Sequence, residues 1–241
     1  MPIASNFTSI LTLNWEINFL QCYPNGHLKY TELCNLFQLT AAKHSELGGI
    51  SFSDMQPFHQ AWVLSKMRVE ITRLPKWKDI VTIKTWINSL ENSRSTRCIE
   101  MFIGDEKIAA CETFWAVFNT QSRRPEALSL PHEHFEKYPN DKATEKSFNR
   151  IAIPEELEKI TERVIQLSDL DIVNHANSVK YLEWCLDCVD FQLILERNIK
   201  SFEMNYLKEV SLNDLVIIAK KDSVFTITNK EKTCFILELG L

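Results

Sequence analysis

The chain has 241 residues, 45% of them hydrophobic and 24% charged, which suits one large packed domain or two small ones and excludes a disordered polypeptide. The net charge of −5 excludes general nucleic-acid binding, and no apolar run is long enough to span a bilayer as a helix. The N-terminal MPIASNFTSILTLNWEINF lacks the basic start and apolar core of a secretory signal, which points to a cytoplasmic protein.

Residues 11–22 alternate apolar and polar and read as a strand. Tyr23-Pro24-Asn25-Gly26-His27 is a turn signal. Residues 30–47 read as a helix, with Leu33, Leu36, Phe37, Thr40, Ala41, His44 and Leu47 on one stripe. Gly48-Gly49 ends it. A loop of about ten residues leads to four strands, 61–73, 79–90, 94–103 and 107–119, the last two joined at Gly104-Asp105. This is an α+β pattern, a sheet wrapped around one long buried helix.

Residues 121–155 break the pattern with Pro125, Pro131, Pro139 and Pro154. The predicted division is therefore an N-terminal unit over 1–125, a linker over 126–155 and a C-terminal unit over 156–241. The pattern then restarts. Residues 162–168 read as a strand and 177–190 as a helix, followed by strands at 199–208, 214–221, 222–229 and 232–239. The two halves repeat each other. The stretch from Met67 lies over the stretch from Phe202, pairing Val69 with Met204, Ile71 with Tyr206, Val81 with Val216, Ile83 with Ile218 and Asp79 with Asp214. NGHLKY from Asn25 echoes NHANSVKY from Asn174.

The seven cysteines follow no disulfide framework. Cys185-x-x-Cys188 lies inside a predicted helix without a second ligand pair, so no metal site is expected and buried free thiols are.

Chemistry concentrates between Ser168 and Leu186 in SDLDIVNHANSVKYLEWCL. Asn174 and Asn177 are both candidate caps for the helix that follows. A helix start carries unpaired N–H groups and partial positive charge, which suit a developing oxyanion. Asp171 and His175 stand just before it.

Several segments together resemble the plant and bacterial acyl-acyl-carrier-protein thioesterases. DLDIVNHANSVKYLEW resembles the family's DxDxNxHxNNVKY segment, and NYLKEVSLND its YxxEC segment. RVEITRLPKWKDIVTIKTWINS resembles the strand pair around a PxWxD turn, and ETFWAVFNTQSRRP the WxxxNxxTRR segment. They occur in the family's order and cover nearly all of the chain outside the predicted linker. The resemblance implies a tandem hot-dog fold and hydrolysis of a fatty acyl thioester on acyl carrier protein, with no metal or nucleotide cofactor.

Carried over by motif position, the catalytic candidates are Asp171, His175 and Glu209, with Asn174 as a fourth and Asn177 at the helix start that would face the oxyanion. Two departures from the family bear on the chemistry. Val173 stands where it has Asn, and Val210 stands where the YxxEC segment has Cys, which excludes a cysteine nucleophile there. The resemblance places the acyl chain in the first repeat between helix and sheet, where Leu33, Phe37, Trp62, Trp86 and Trp115 are candidate walls. The implied partner is an acidic acyl carrier protein bearing an acyl-phosphopantetheine arm, with Arg123 and Arg124 as candidate docking residues. Three readings stay open: a carrier-protein thioesterase, an acyl-CoA thioesterase of the same fold, and a non-catalytic acyl-binding module. Homodimer formation is left open as well.

Overall fold

The computed structural model describes residues 3–241; Met1 and Pro2 of the predicted first unit lie outside the described residues. The chain divides into two compact units, with the boundary between Ser147 and Phe148.

In the first unit, strand β1 (Ile10–Glu16) and a short 3-10 turn (Phe19–Gln21) lead to helix α1 (Tyr30–Leu47). A single-turn helix α2 (Phe52–Met55) precedes strands β2 (Gln60–Ile71), β3 (Ile80–Glu91), β4 (Arg94–Ile103) and β5 (Glu106–Asn119), and a two-residue β6 (Arg124–Pro125) folds back on β5. The spatial order is β1-β3-β4-β5-β2, antiparallel throughout. The predicted first strand stops at Glu16 because Asn18 and Gln21 form a capping box that turns the chain into the 3-10 turn. Helix α1 has the predicted bounds, and Leu33, Leu36, Phe37, Thr40, Ala41 and His44 are all buried.

Several polar side chains are buried in this unit, among them a cluster around Arg97. Arg97 of β4 is buried and donates to His44 Nδ1 at 2.7 Å, to Thr85 Oγ1 at 3.3 Å and to Ser45 Oγ at 3.4 Å. An arginine only donates, so His44 Nδ1 accepts; Nε2 carries the hydrogen and donates to the Thr8 carbonyl at 2.9 Å.

Residues 126–147, which the sequence presents as linker, pack on the first unit. Leu128, Leu130 and Phe135 share a core cluster with Ile50, Met55, Ile87, Leu90 and Val117. Phe135 fills the space over Gly48, where any Cβ would strike its ring. The prolines of this segment steer a covering strap rather than mark a free linker.

The second unit holds β7 (Glu158–Val164), a 3-10 turn (Leu167–Asp169), α3 (Ser178–Leu186), α4 (Phe191–Leu195), β8 (Ser201–Tyr206), β9 (Leu215–Lys221), β10 (Val224–Asn229) and β11 (Lys232–Gly240). Its order, β8-β11-β10-β9-β7, repeats that of the first unit strand for strand. The helix predicted over 177–190 ends at Leu186, because Asp190 accepts from Gln192 N–H and starts α4 as a separate helix. Strand β7 begins earlier than expected and stops at Val164, where residues 167–169 tighten into a turn.

The repeat extends to individual hydrogen bonds. Ile17 N–H donates to the Asp79 carbonyl at 2.9 Å, and Ile165 N–H to the Asp214 carbonyl at 3.0 Å. Asp79 Oδ2 accepts from Lys76 N–H at 2.8 Å, and Asp214 Oδ2 from Ser211 N–H at 2.9 Å. Tyr23 N–H donates to the His27 carbonyl at 2.8 Å, and Asp171 N–H to the His175 carbonyl at 2.9 Å. Two copies of one unit, each an antiparallel sheet carrying one principal helix, make up the fold.

Candidate active site

Asp171 to His175 form a tight turn. Asp171 N–H donates to the His175 carbonyl, and Asn174 N–H to the Asp171 carbonyl at 3.0 Å. The Asp171 carboxylate folds inward and accepts from Val173 N–H at 3.0 Å and His175 N–H at 3.4 Å. Asn174 takes the left-handed conformation with φ 63°, which asparagine tolerates better than most residues. Gly26 holds the matching place in the first unit at φ 78°.

The turn is fixed from below by Asp169. This buried carboxylate receives Arg163 at 3.1 Å on both oxygens and Gln166 N–H at 2.8 Å, and its carbonyl accepts Asn177 N–H at 2.8 Å. The Arg163 guanidinium lies over the Trp184 ring at 4.6 Å. Sequence reasoning passed over Asp169, although it is the first acid of the DLD triplet.

The turn brings His175 to Glu209. Their side chains approach to 3.4 Å, Nε2 to Oε2, and are 27% and 32% exposed. Both are thus partly exposed at the surface. Glu209 reaches this place because its neighbour Val210 is wholly buried and bonded at both ends. Val210 N–H donates to Tyr181 Oη at 3.1 Å, and its carbonyl accepts Ala176 N–H at 3.0 Å. Val210, at the position of the family's Cys, therefore anchors the acid through its backbone.

Asn177 is the cap of α3: its side chain accepts Val179 N–H at 2.9 Å, and its carbonyl accepts Lys180 N–H at 2.9 Å. Two amides expected to be open for an oxyanion are thus occupied. Asn174 and Val173 are exposed on the outside of the turn.

The first unit carries the same turn with different chemistry. Leu28 N–H donates to the Pro75 carbonyl at 2.9 Å, as Ala176 N–H does to Val210, so His27 takes the place of His175 and Leu74 that of Glu209. The first copy thus has a leucine where the second has the acid.

Among the wall candidates, Leu33 and Phe37 are fully buried on α1. Trp62 is partly buried against the Ile50 and Phe135 cluster and donates to the Ile50 carbonyl at 3.0 Å. Trp115 is half-buried on β5, its indole bonded to Thr113 at 2.9 Å. Trp86 faces away from α1. Its neighbour Thr85 bonds Arg97 on the α1 side, so strand alternation turns Trp86 to the other face, where it packs with Cys98, Ala110 and Ala143 and donates to the Asp141 carbonyl at 3.0 Å. Arg123 and Arg124 are exposed at the β5–β6 turn. Among the described residues no cluster of His, Cys, Asp or Glu is arranged to hold a metal, and no helix is long and apolar enough to cross a membrane.

The chain is 26% identical over 234 residues to an oleoyl-acyl carrier protein thioesterase of Coriandrum sativum, covering 85% of this chain and 61% of that protein. It is 26% identical over 212 residues to a dodecanoyl-[acyl-carrier-protein] hydrolase of Cinnamomum camphora, covering 80% and 54%. The chain thus spans about three-fifths or less of the length of these curated relatives. The crystal structure of an acyl-ACP thioesterase from Bacteroides thetaiotaomicron shares the fold, with a TM-score of 0.86 at 20% identity, covering 96% of this chain and 97% of that one. The 12:0-ACP thioesterase of Umbellularia californica does so with a TM-score of 0.82 at 18% identity and 96% coverage of both. The fold is the tandem hot-dog expected from the sequence. The family model of the acyl-ACP thioesterase N-terminal domain matches residues 9–138 and that of the C-terminal domain residues 154–238, so the chain belongs to the acyl-ACP thioesterase family.

Proposed function

We propose that this protein hydrolyses fatty acyl thioesters of acyl carrier protein, releasing a free fatty acid and the carrier thiol. The observation that supports this most is the approach of His175 Nε2 to Glu209 Oε2 at 3.4 Å on a half-exposed surface, within a chain of this family. A carboxylate beside an imidazole is an arrangement that holds a water and takes its proton.

In the reaction proposed here, the Glu209 carboxylate accepts a proton from water as the oxygen attacks the thioester carbonyl. A tetrahedral oxyanion forms. It collapses by breaking the carbon–sulfur bond, and the departing sulfur takes up the proton that Glu209 received. His175 orients the water and the carboxylate. Asp171 closes the turn that carries His175 and keeps its backbone fixed. Asn174 serves as the left-handed residue of that turn. Because Asn177 already occupies the amides of Val179 and Lys180, the oxyanion is helped by the positive end of α3 rather than by those groups.

The acyl chain is assigned to the space beside α1 in the first unit, bordered by Leu33, Phe37, Trp62 and Trp115. The carrier protein is assigned to a surface that includes Arg123 and Arg124. A rate comparison between acyl-carrier-protein and acyl-CoA substrates of one chain length tests the reading. Faster release from the carrier protein supports it; equal or faster release from CoA moves the assignment to an acyl-CoA thioesterase.

A further inference from the structure

Glu209 and His175 lie on different elements, 3.4 Å apart, and the bond from Ala176 N–H to the Val210 carbonyl fixes the two backbones at one point only. Two tyrosines span the gap in opposite directions. Tyr181, on α3, accepts the N–H of Val210, the residue after the acid, at 3.1 Å. Tyr206, at the end of β8 and three residues before the acid, donates to the carbonyl of Ser178, the first residue of α3, at 3.1 Å. The helix thus holds the acid's loop, and the acid's strand holds the start of the helix.

The two rings sit in one aromatic cluster, while the hydroxyl bonds alone link the loop to the helix. Tyr181 and Tyr206 meet edge to face at 5.9 Å, and both pack on Phe235 of β11, at 5.3 and 5.0 Å. Tyr181 also packs on Trp184 at 5.2 Å and is buried. Burial, with smaller contributions from Glu209 and Asp171 among others, pushes its phenol well above the usual range, so the hydroxyl stays neutral at any working pH.

We propose that Tyr181 and Tyr206 are positioning residues of the hydrolysis, cross-bracing the Glu209 loop and the His175-bearing helix start so that the acid meets the imidazole. This rests on the activity proposed above. The buried Val210 N–H makes the brace matter. Without the Tyr181 oxygen it loses its partner, and the loop must shift to find another. A shift of about 1 Å in a reacting group costs on the order of a hundredfold in rate. The binding of the acyl chain and the carrier is untouched by such a shift.

The test compares Tyr181→Phe, Tyr206→Phe, Phe235→Leu and Glu209→Gln with the wild-type chain on one acyl-carrier-protein substrate, recording kcat, KM and melting temperature. Tyr181→Phe keeps the ring packing and removes the acceptor; kcat should fall about 10- to 100-fold with KM unchanged. Tyr206→Phe should fall in the same direction. Phe235→Leu loosens the same ring cluster but keeps both hydroxyls, and should lower the melting temperature while leaving kcat near wild type. Amide exchange of Val210 on nitrogen-15-labelled protein reads the bond without substrate and should quicken in Tyr181→Phe alone. Wild-type kcat in Tyr181→Phe, or a loss matched by Phe235→Leu, overturns the brace while an inactive Glu209→Gln leaves the activity standing. A wild-type chain inert on every thioester overturns the activity and the brace's role with it.

Discussion

The carbonyl of Val210 accepts the backbone N–H of Ala176 at 3.0 Å, and these two residues directly follow Glu209 and His175. The acid and the imidazole are therefore registered by a main-chain bond that does not depend on the side chains' own attraction. In the first unit the same bond joins Leu28 to Pro75 and registers His27 against Leu74. One scaffold is built twice, and only the second copy carries the acid.

Val173 is the clearest departure from the family in the catalytic turn. Its side chain points outward and its N–H is held by Asp171, so an asparagine fits without rebuilding the turn. Val173→Asn restores the family's residue two positions before His175, in the turn that carries it. Turnover on acyl carrier protein should rise about tenfold or more, read as kcat under saturating substrate. An unchanged kcat would mean that the turn functions without the amide.

Phe37 is fully buried in the first-unit interior, where the acyl chain is proposed to lie. Phe37→Ala should lengthen that space and move the preferred substrate toward longer acyl chains, measured as the product profile over a chain-length series. It should also cost about 3–5 kcal/mol of stability, as large-to-small core changes do. The same stability loss with an unaltered profile would place the chain elsewhere.

His44 sets a pH dependence. Burial, and then the Arg97 charge, hold its pKa at about 3 despite the Thr8 carbonyl, against 6.5 for a free histidine. The ring is neutral when folded and takes up a proton more readily when unfolded. Its contribution is therefore complete above pH 6.5 and is lost as the pH falls from there toward 3, by at most about 1.4 kcal/mol per unit. Urea unfolding at pH 7 and pH 5 should show the wild-type chain losing about 2 kcal/mol more than His44→Gln. Equal losses in both would remove His44 as the cause.

Arg123 and Arg124 are exposed and suited to an acidic partner. Replacing both by alanine should raise KM for acyl carrier protein severalfold, leave KM for acyl-CoA unchanged and flatten the salt dependence of KM. A change shared equally by the two substrates would indicate general damage instead of lost docking.

Much of this was legible in the sequence because it rests on short-range signals. Helix α1 announces itself through its apolar stripe and the glycines after it, and alternation gives β2 to β5 nearly residue by residue. The meeting of His175 and Glu209 followed only from motif resemblance; they lie thirty-four positions apart, and no local pattern encodes the Val210 and Ala176 bond. The strap over 126–147 was hidden because prolines and charges look alike in a linker and in a covering segment, and only the burial of Leu128, Leu130 and Phe135 distinguishes them. Trp86 was misplaced for a related reason, since both faces of this part of β3 are covered and alternation alone does not say which one meets the helix.

The most direct test is free fatty acid release from an acyl-carrier-protein thioester by the wild-type chain and by Glu209→Gln, with folding of both verified by melting temperature. The expected result is release by the wild type and a fall in kcat of about 10²-fold or more in a folded variant. Near-wild-type release by Glu209→Gln would contradict the assignment of the acid, and no release by the wild type from any acyl thioester would contradict the activity itself.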